Sequence, residues 1–535
     1  QALCELADSN IQRIFGEALR VHDGDTQGLC LLALGGYGRR LLFPYSDLDI
    51  LFLFGSEKAE AGFRPLIGEL SRILWDLGFR VSSAGRTIDE CKRIEEDNAE
   101  FHLALLDRRF LAGDAGLFEK LDTKVLPGSE RQARPFLLAQ LQKLTKDRLA
   151  RYGNTIFHLE PNVKESPGGL RDYQATVWLQ QINGEKKDSR PVTTVEDTLV
   201  ARAVEFMSEI RCFLHYSNGR NDNTLTYELQ SEAAARSLGV GESSRATLEE
   251  QSAASEKIAE QEAAEWMRMY FRQARTLNRR LLRHMEQKTP LTGLSLRERI
   301  FSATRAPAKV ELSSTKPFIV RDGLLEVVAP GALSDRAVMF SLFMGAAASG
   351  IPLSREAERT IAYILTHPEV RAQNTQITWA TLREILSAEY PGAALRPMQR
   401  LGLLTEMLPE FGNIDSLVVR DFYHRYTVDE HTLRTIEHLQ ELGEATDPLG
   451  KNFAPLWKTL ERRGLLVLAM LLHDVGKGMA TENHVTGSLE ALESAAARLE
   501  LTAEEKAEVR FLIEHHLEMS ATMQRRDIFD QDTVT

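Results

Sequence analysis

The chain has 535 residues, 43% of them hydrophobic and 27% charged, and at about 100–200 residues per domain it is long enough for three or four domains. A net charge of −12 gives no general attraction for polyphosphate backbones, which argues against nucleic acid as the main partner. Cys4, Cys30, Cys91 and Cys212 show no C-x-x-C spacing, which argues against a disulfide framework or zinc ribbon and points to a reducing, cytoplasmic setting. No stretch reaches the roughly 18 uncharged apolar residues of a membrane span, and no charged-then-apolar leader is visible at Gln1. The start at Gln1 and the stop soon after Asp527 suggest a piece of a longer protein.

In chain order, Leu29–Leu34 and Ile50–Phe54 are short apolar runs beside turn residues, the pattern of buried strands. Phe63–Leu77 has helical spacing, and Phe79–Ser83 can return as a strand, giving a small α/β domain over residues 1–135. Residues 136–290 read as helical. Trp266, Tyr270, Ala274, Leu277 and Leu281 recur at three- and four-residue steps, with Arg275, Arg279 and Arg283 on a solvated basic side. Ser231–Ala264, rich in Ala, Ser and Glu, reads as a mobile connection or an exposed helix. Phe318–Val320 and Leu324–Val328 flank Arg321-Asp322-Gly323 as a hairpin, and helices complete a linker domain over 291–410. The segment 411–535 is a final all-helical domain in which Gly464–Leu472 is a buried helix and Thr427-Val-Asp-Glu430 a capping box.

Two segments carry chemistry. In Leu34-Gly-Gly-Tyr-Gly-Arg-Arg-Leu-Leu-Phe-Pro-Tyr-Ser-Asp-Leu-Asp-Ile50, Gly35 and Gly36 follow a strand and let the backbone approach a phosphate. Asp47 and Asp49, two apart at the entry to the next strand, present both carboxylates to one side. Paired carboxylates suit Mg²⁺, a hard ion that also takes phosphate oxygens. Arg39 and Ser46 are further candidate phosphate contacts. The second segment holds seven of the thirteen histidines beyond residue 420. An apolar run leads into His473-Asp474-Val-Gly-Lys477, followed by His484, His515-His516 and Asp527. Imidazole and carboxylate ligands together suit a hydrolytic divalent metal, Mn²⁺ or another, and Lys477 can neutralise phosphate. His515 reads as a neighbour on the wrong face, and His424 and His438 as packing or surface residues. His22, His102, His158, His215, His284 and His367 have no constellation.

GGYGRR…SDLDI resembles the signature of the DNA polymerase β-like nucleotidyltransferases. That resemblance implies a third carboxylate on a later strand, but Phe79–Thr87 has no acid, leaving Asp89, Asp97 or none. The order H…HD…H…H…D resembles the HD phosphohydrolase superfamily, which implies His431, His473, Asp474 and Asp527 as metal ligands, with His484 and His516 at a second metal position or on phosphate. With the loop Asn162-Val-Lys-Glu-Ser-Pro-Gly-Gly-Leu-Arg-Asp172, which brings Lys164 and Arg171 toward the transferase phosphates, the pairing resembles the bifunctional uridylyltransferase/uridylyl-removing enzymes of the PII nitrogen-signalling protein. The implied activities are transfer of UMP from UTP to a PII tyrosine and hydrolysis of that bond, in control of nitrogen assimilation. The implied regulator is glutamine, acting through C-terminal ACT domains that this sequence stops short of. The competing readings are an RNA nucleotidyltransferase with an HD phosphodiesterase and a catalytically reduced sensor.

Overall fold

The computed structural model describes residues 2–184, 195–239, 256–285, 318–367, 379–419 and 426–525, apart from the single positions 23, 322, 444, 446, 448, 449 and 482. Two compact units divide the chain, Gln1–Ser295 and Leu296–Thr535. Among the described residues, no helix is long and apolar enough to cross a membrane.

The first unit opens with a helix that the sequence reading did not isolate, α1 (Ala2–Val21). Strand β1 (Leu29–Ala33) follows, then the single turn α2 (Gly35–Gly38), β2 (Leu48–Phe54), helix α3 (Glu57–Asp76) and β3 (Val81–Thr87). A short helix α4 (Ala99–Leu105) and strand β4 (Arg109–Gly113) complete the sheet, whose order is β3-β2-β1-β4. Strand β1 is antiparallel to β2 and β4, and β2 is parallel to β3. The continuous apolar runs have a physical reason: both faces of the sheet are covered. Leu29, Leu31 and Ala33 pack with α1 and α3, while Cys30 and Leu32 pack with Leu105, Leu117 and Leu121. Two boundaries shift. Strand β2 starts at Leu48, so Asp49 lies within it, and β3 begins at Val81, where the sequence pattern suggested Phe79.

Beyond the sheet come α5 (Ala115–Lys120), α6 (Leu126–Arg151), which runs straight through residue 135, α7 (Leu170–Ile182), α8 (Val195–Asn218), α9 (Tyr227–Ala235) and α10 (Glu256–Met285). Trp266, Tyr270, Ala274, Leu277 and Leu281 on α10 are all buried, as their spacing predicts. Its basic side is partly engaged: Arg283 pairs with Glu196, and Arg275 lies 5.6 Å from the ring of Phe157. Of Ser231–Ala264, residues 240–255 lie outside the described residues.

The Pro/Gly loop at 162–172 is anchored by charge. Asp172, fully buried, receives Arg148 Nη2 at 2.6 Å, the Gly168 amide at 2.7 Å and Asn278 Nδ2 at 2.9 Å. Arg148 also donates to the Glu165 carbonyl at 2.7 Å. Gly168 has φ +81, and a Cβ there would lie 2.5 Å from the Ala274 carbonyl oxygen, so glycine is what lets α10 approach.

The second unit begins with the expected hairpin, β5 (Phe318–Arg321) against β6 (Leu324–Val327), whose Asp322 lies outside the described residues. Helices α11 (Arg336–Ser349), α12 (Arg355–Thr366), α13 (Trp379–Ser387), α14 (Pro391–Leu401) and α15 (Leu403–Met407) follow. They are succeeded by α16 (Val428–Leu442), α17 (Gly450–Thr459), α18 (Arg463–Leu472), α19 (His484–Leu499), α20 (Ala503–Glu514) and α21 (Glu518–Arg525). One apolar core runs from Phe318 to Ile513. The buried helix appears as α18. The capping box does not form: Thr427 precedes α16 without a side-chain cap bond. Glu430 instead accepts from Arg396 at 2.6 Å and Arg434 at 2.9 Å, because two guanidinium groups outcompete one backbone amide for a buried carboxylate.

Replacing Asp172 by alanine strands the Arg148 charge in the interior. The expected loss is about 3–5 kcal/mol of stability, read as a lowered midpoint in chemical denaturation of the chain.

Two candidate active sites

All eight residues assigned to the first site line one cavity of about 460 Å³: Gly35, Gly36, Arg39, Ser46, Asp47, Asp49, Lys164 and Arg171. The end of β1 delivers the glycines and the start of β2 the carboxylates. Asp49 shares the face of Leu51 and Leu53, opposite α1 and α3. Asp47 stands just before the strand and is exposed, whereas Asp49 is half-buried. Gly35 has φ +54, and a Cβ on it would come within 2.9 Å of Asp49 Oδ2. Burial and the neighbouring Asp47 push the Asp49 carboxyl above its ordinary range, while Lys164, Arg39 and Arg171 oppose that shift. Burial, Arg171 and Arg211 lower the Lys164 ammonium. A pair of crowded carboxylates facing several cations is what a metal-bound polyphosphate would neutralise.

Neither Asp89 nor Asp97 reaches this cavity. Asp89 is exposed just beyond β3, where Thr87 pairs with Phe54, whereas Asp49 pairs with Ser82 at the strand's other end. Five residues of strand separate the two pairs, on the order of 16 Å. Ser82 and Ser83 line the cavity on β3, so among the described residues its carboxylates are Asp47 and Asp49.

Several supporting residues escaped the sequence reading. Asp107, buried, pairs with Arg39 and accepts from Trp178 Nε1 at 2.8 Å, fixing the arginine under the cavity. Gly38 has no room for a Cβ, which would meet the Asp107 and Ala33 carbonyl oxygens. Tyr37 donates to Asp8 at 2.6 Å, and Asp8 pairs with Arg109 at 2.7 Å, tying the glycine turn to α1. His215, read as ordinary, is fully buried and contacts the Pro44 carbonyl. Arg211, one helical turn before it, also lines the cavity. Lone residues on α8 carry no local motif. Only the i, i+4 spacing of Arg211 and His215 could have paired them.

In the second unit, α16 supplies His431, the end of α18 supplies His473 and Asp474, α19 supplies His484, and His516 follows α20. Their ligand atoms fall into two groups, His431–His473–Asp474 and Asp474–His484–His516, each within 4.8 Å. Asp474, 2% exposed, belongs to both. Its carboxylate lies 3.3 Å from His473 Nε2 and 2.9 Å from Lys477 Nζ. Burial opposes ionisation of Asp474, but His473 and Lys477 outweigh it and hold the carboxyl far below the usual range. Burial lowers both His484 and His516. His473 Nδ1 meets the Met470 carbonyl and His516 Nδ1 the Ile513 carbonyl, each at 2.7 Å. In the neutral ring that contact fixes the proton on Nδ1 and turns Nε2 toward the centre, the arrangement of metal-binding histidines. His484 Nε2 is buried with no hydrogen-bond partner among the described residues. The donor set therefore fits a divalent ion. His515 sits against Phe511 and Glu518, away from the cluster, and His438 pairs with exposed Glu441. Asp527 and His424 lie outside the described residues.

A small sheet with a glycine turn and paired carboxylates, helices carrying a basic loop, and a helical histidine–aspartate cluster define a nucleotidyltransferase fold joined to a metal-binding helical domain. Residues 136–281 match the family described as GlnD PII-uridylyltransferase, and residues 428–532 match the HD domain. The chain thus holds one stretch similar to each of these two families. It is 33% identical over 529 residues to a bifunctional uridylyltransferase/uridylyl-removing enzyme of Ruegeria pomeroyi, covering 95% of this chain and 55% of that protein. A protein of the same name from Rhodospirillum rubrum is 30% identical over 522 residues, 95% of this chain and 53% of the relative. One from Azospirillum brasilense is 31% identical over 522 residues, 94% and 53%. The chain spans about half the length of the curated relatives it matches. Its two domains and the histidine–aspartate groups indicate dependence on divalent metal.

Because Asp474 is common to both ligand groups, Asp474→Asn is expected to weaken metal binding by about tenfold or more. His484→Ala leaves the His431–His473–Asp474 group intact and is expected to retain part of the metal. Metal analysis after dialysis against Mn²⁺ checks both. Gly35→Ala, strained in φ and pressed against Asp49, is expected to distort the cavity of the first unit and lower the melting temperature, while metal binding at the histidine cluster persists.

Proposed function

We propose that this chain transfers UMP from UTP to a tyrosine of the PII signalling protein and hydrolyses UMP from the modified tyrosine, in the cytoplasm and in control of nitrogen assimilation. Residues 1–135 and their helical companion 136–290 carry the transfer, and residues 411–535 carry the removal, with 291–410 between them. The supporting observation is that the basic loop at 162–172 and the paired carboxylates at 47 and 49 face one cavity. The names of the relatives supply the substrate class.

Asp47 and Asp49 would hold Mg²⁺, and His431, His473, Asp474, His484, His516 and Asp527 would hold Mn²⁺ or another divalent ion. When bound, such ions supply Lewis acidity toward phosphoryl oxygens and, at the second site, a water of lowered pKa. The chain's own groups do the rest. Gly35 and Gly36 let the triphosphate lie against backbone, and Ser46 Oγ, buried and unpartnered among the described residues, can donate to a phosphate oxygen. Arg39, Lys164 and Arg171 balance its charge. The tyrosine oxygen attacks the α-phosphorus and gives up its proton to water, the bond to the β-phosphate breaks, and pyrophosphate leaves. At the second site, water attacks the same phosphorus, the bond to the tyrosine oxygen breaks, and that oxygen regains a proton. Lys477, beside Asp474, offsets the developing negative charge.

Incubation of the chain with PII, labelled UTP and Mg²⁺ should place label on PII, and Mn²⁺ should then release it as UMP. Asp47→Asn with Asp49→Asn is expected to cut transfer roughly 10³-fold or more and to leave removal unchanged, whereas His473→Ala does the converse. A double Asp variant that still transfers would take Asp47 and Asp49 out of the mechanism. A folded chain that neither labels PII nor releases label would refute both activities.

A further inference from the structure

Four cations border the cavity of the first unit, and three have a carboxylate. Arg39 pairs with Asp107, Arg171 meets Glu165 at 2.9 Å, and Lys164 lies 3.7 Å from the same Glu165. The fourth, Arg211 on α8, is 7% exposed and forms no ion pair with a carboxylate among the described residues. Its Nε donates to Asn223 Oδ1 at 2.7 Å, and its guanidinium carbon lies 4.2 Å from the centre of the Phe43 ring. The two Nη groups make no hydrogen bond among the described residues. A buried cation held in place by neutral groups is costly unless an anion completes it. The support is built from both sides: His215, one turn on, contacts the Pro44 carbonyl and Asn223. Phe43 against Arg211 and Pro44 against His215 therefore tie this turn of α8 to the segment that ends in Asp47 and Asp49.

Resting on the transferase reading above, we propose that Arg211 binds the non-transferred phosphates of the nucleotide through its Nη groups, as the pyrophosphate-side contact of the site. The transferred phosphorus belongs beside the two carboxylates. The cations bearing most on Asp49 are Lys164, Arg39 and Arg171, whereas Arg211 is felt at Lys164. Arg211 approaches the cavity from α8, whereas the carboxylates stand at the start of β2. Burial and the neighbouring Arg171 lower its guanidinium to about 10, the penalty that a bound polyphosphate would relieve. A planar fork with two free Nη groups also suits phosphate better than an ammonium would.

Titration of the full chain with UTP, pyrophosphate and UMP, each with Mg²⁺, tests this. Arg211→Gln is expected to weaken UTP and pyrophosphate binding roughly 10- to 100-fold and to leave UMP binding unchanged. Its melting temperature should hold, because an uncompensated buried charge is removed. Arg211→Lys, which keeps the charge but not the fork, should fall between wild type and Arg211→Gln, and it serves as the test if the glutamine variant does not fold. Equal weakening for UTP and UMP, or a lowered melting temperature with UTP affinity intact, would overturn the assignment in favour of a structural arginine. A wild-type chain that binds no UTP would overturn the transferase reading and this contact together. A wild type that binds UTP and an Arg211→Gln variant that binds it equally well would overturn only the contact.

Discussion

Arg148 and Asp172 meet at 2.6 Å in the interior of the first unit, and the wall of its cavity depends on that pair. A buried carboxylate must be matched, and Asp172 is matched by a guanidinium, a backbone amide and an asparagine. Those bonds join α6, α7 and α10 to one short loop. The loop's remaining polar groups are then free to face outward, and Lys164 and Arg171 do so, toward Asp49. Charge satisfied underneath is what permits charge left partly open above.

The second unit applies the same physics, again around a buried carboxylate. Asp474 is buried among imidazoles and Lys477, so its negative charge is the fixed element and the surrounding donors are the adjustable ones. His473 and His516 each place Nδ1 on a carbonyl three residues back, leaving the other nitrogen for the centre. The carbonyls come from helix ends, where the backbone has acceptors to spare. The apolar run of α18 is thus more than core: it buries the helix end that orients His473, and Asp474 follows at once.

The sequence disclosed what is local. Short apolar runs marked β1 and β2 because both sheet faces are covered, and Gly35-Gly36 with Asp47 and Asp49 marked the cavity because adjoining strand ends bring close sequence neighbours together. His473-Asp474 was legible for the same reason. What stayed hidden is what the fold assembles from afar. Asp107 reaches Arg39 across 68 residues and His215 reaches Pro44 across 171, and neither distance leaves a mark in a linear pattern. The capping box failed because Arg396, remote in sequence, claims Glu430. The strand β3 began two residues late because its register is set by pairing with β2, not by its own weakly patterned residues.

The proposed reactions are not the reverse of one another. Transfer consumes UTP and releases pyrophosphate, whereas removal consumes water and releases UMP, so their sum is hydrolysis of UTP with PII unchanged. Their sum runs downhill, so while UTP lasts the ratio of the two rates, and no single equilibrium constant, decides how much PII carries UMP. That ratio can be set only by something that acts differently on the two sites. The residue sets make this possible. The cavity of the first unit draws on Leu34 through Asn221, and the described part of the histidine cluster draws on His431 through His516, within the second. Among the described residues the two clusters share no side chain: carboxylates and cations line one, and imidazoles surround a single carboxylate in the other. Something that acts on access to one site, or on the order of its supporting elements such as the Phe43–Pro44 segment held by α8, would then change one proposed rate without the other.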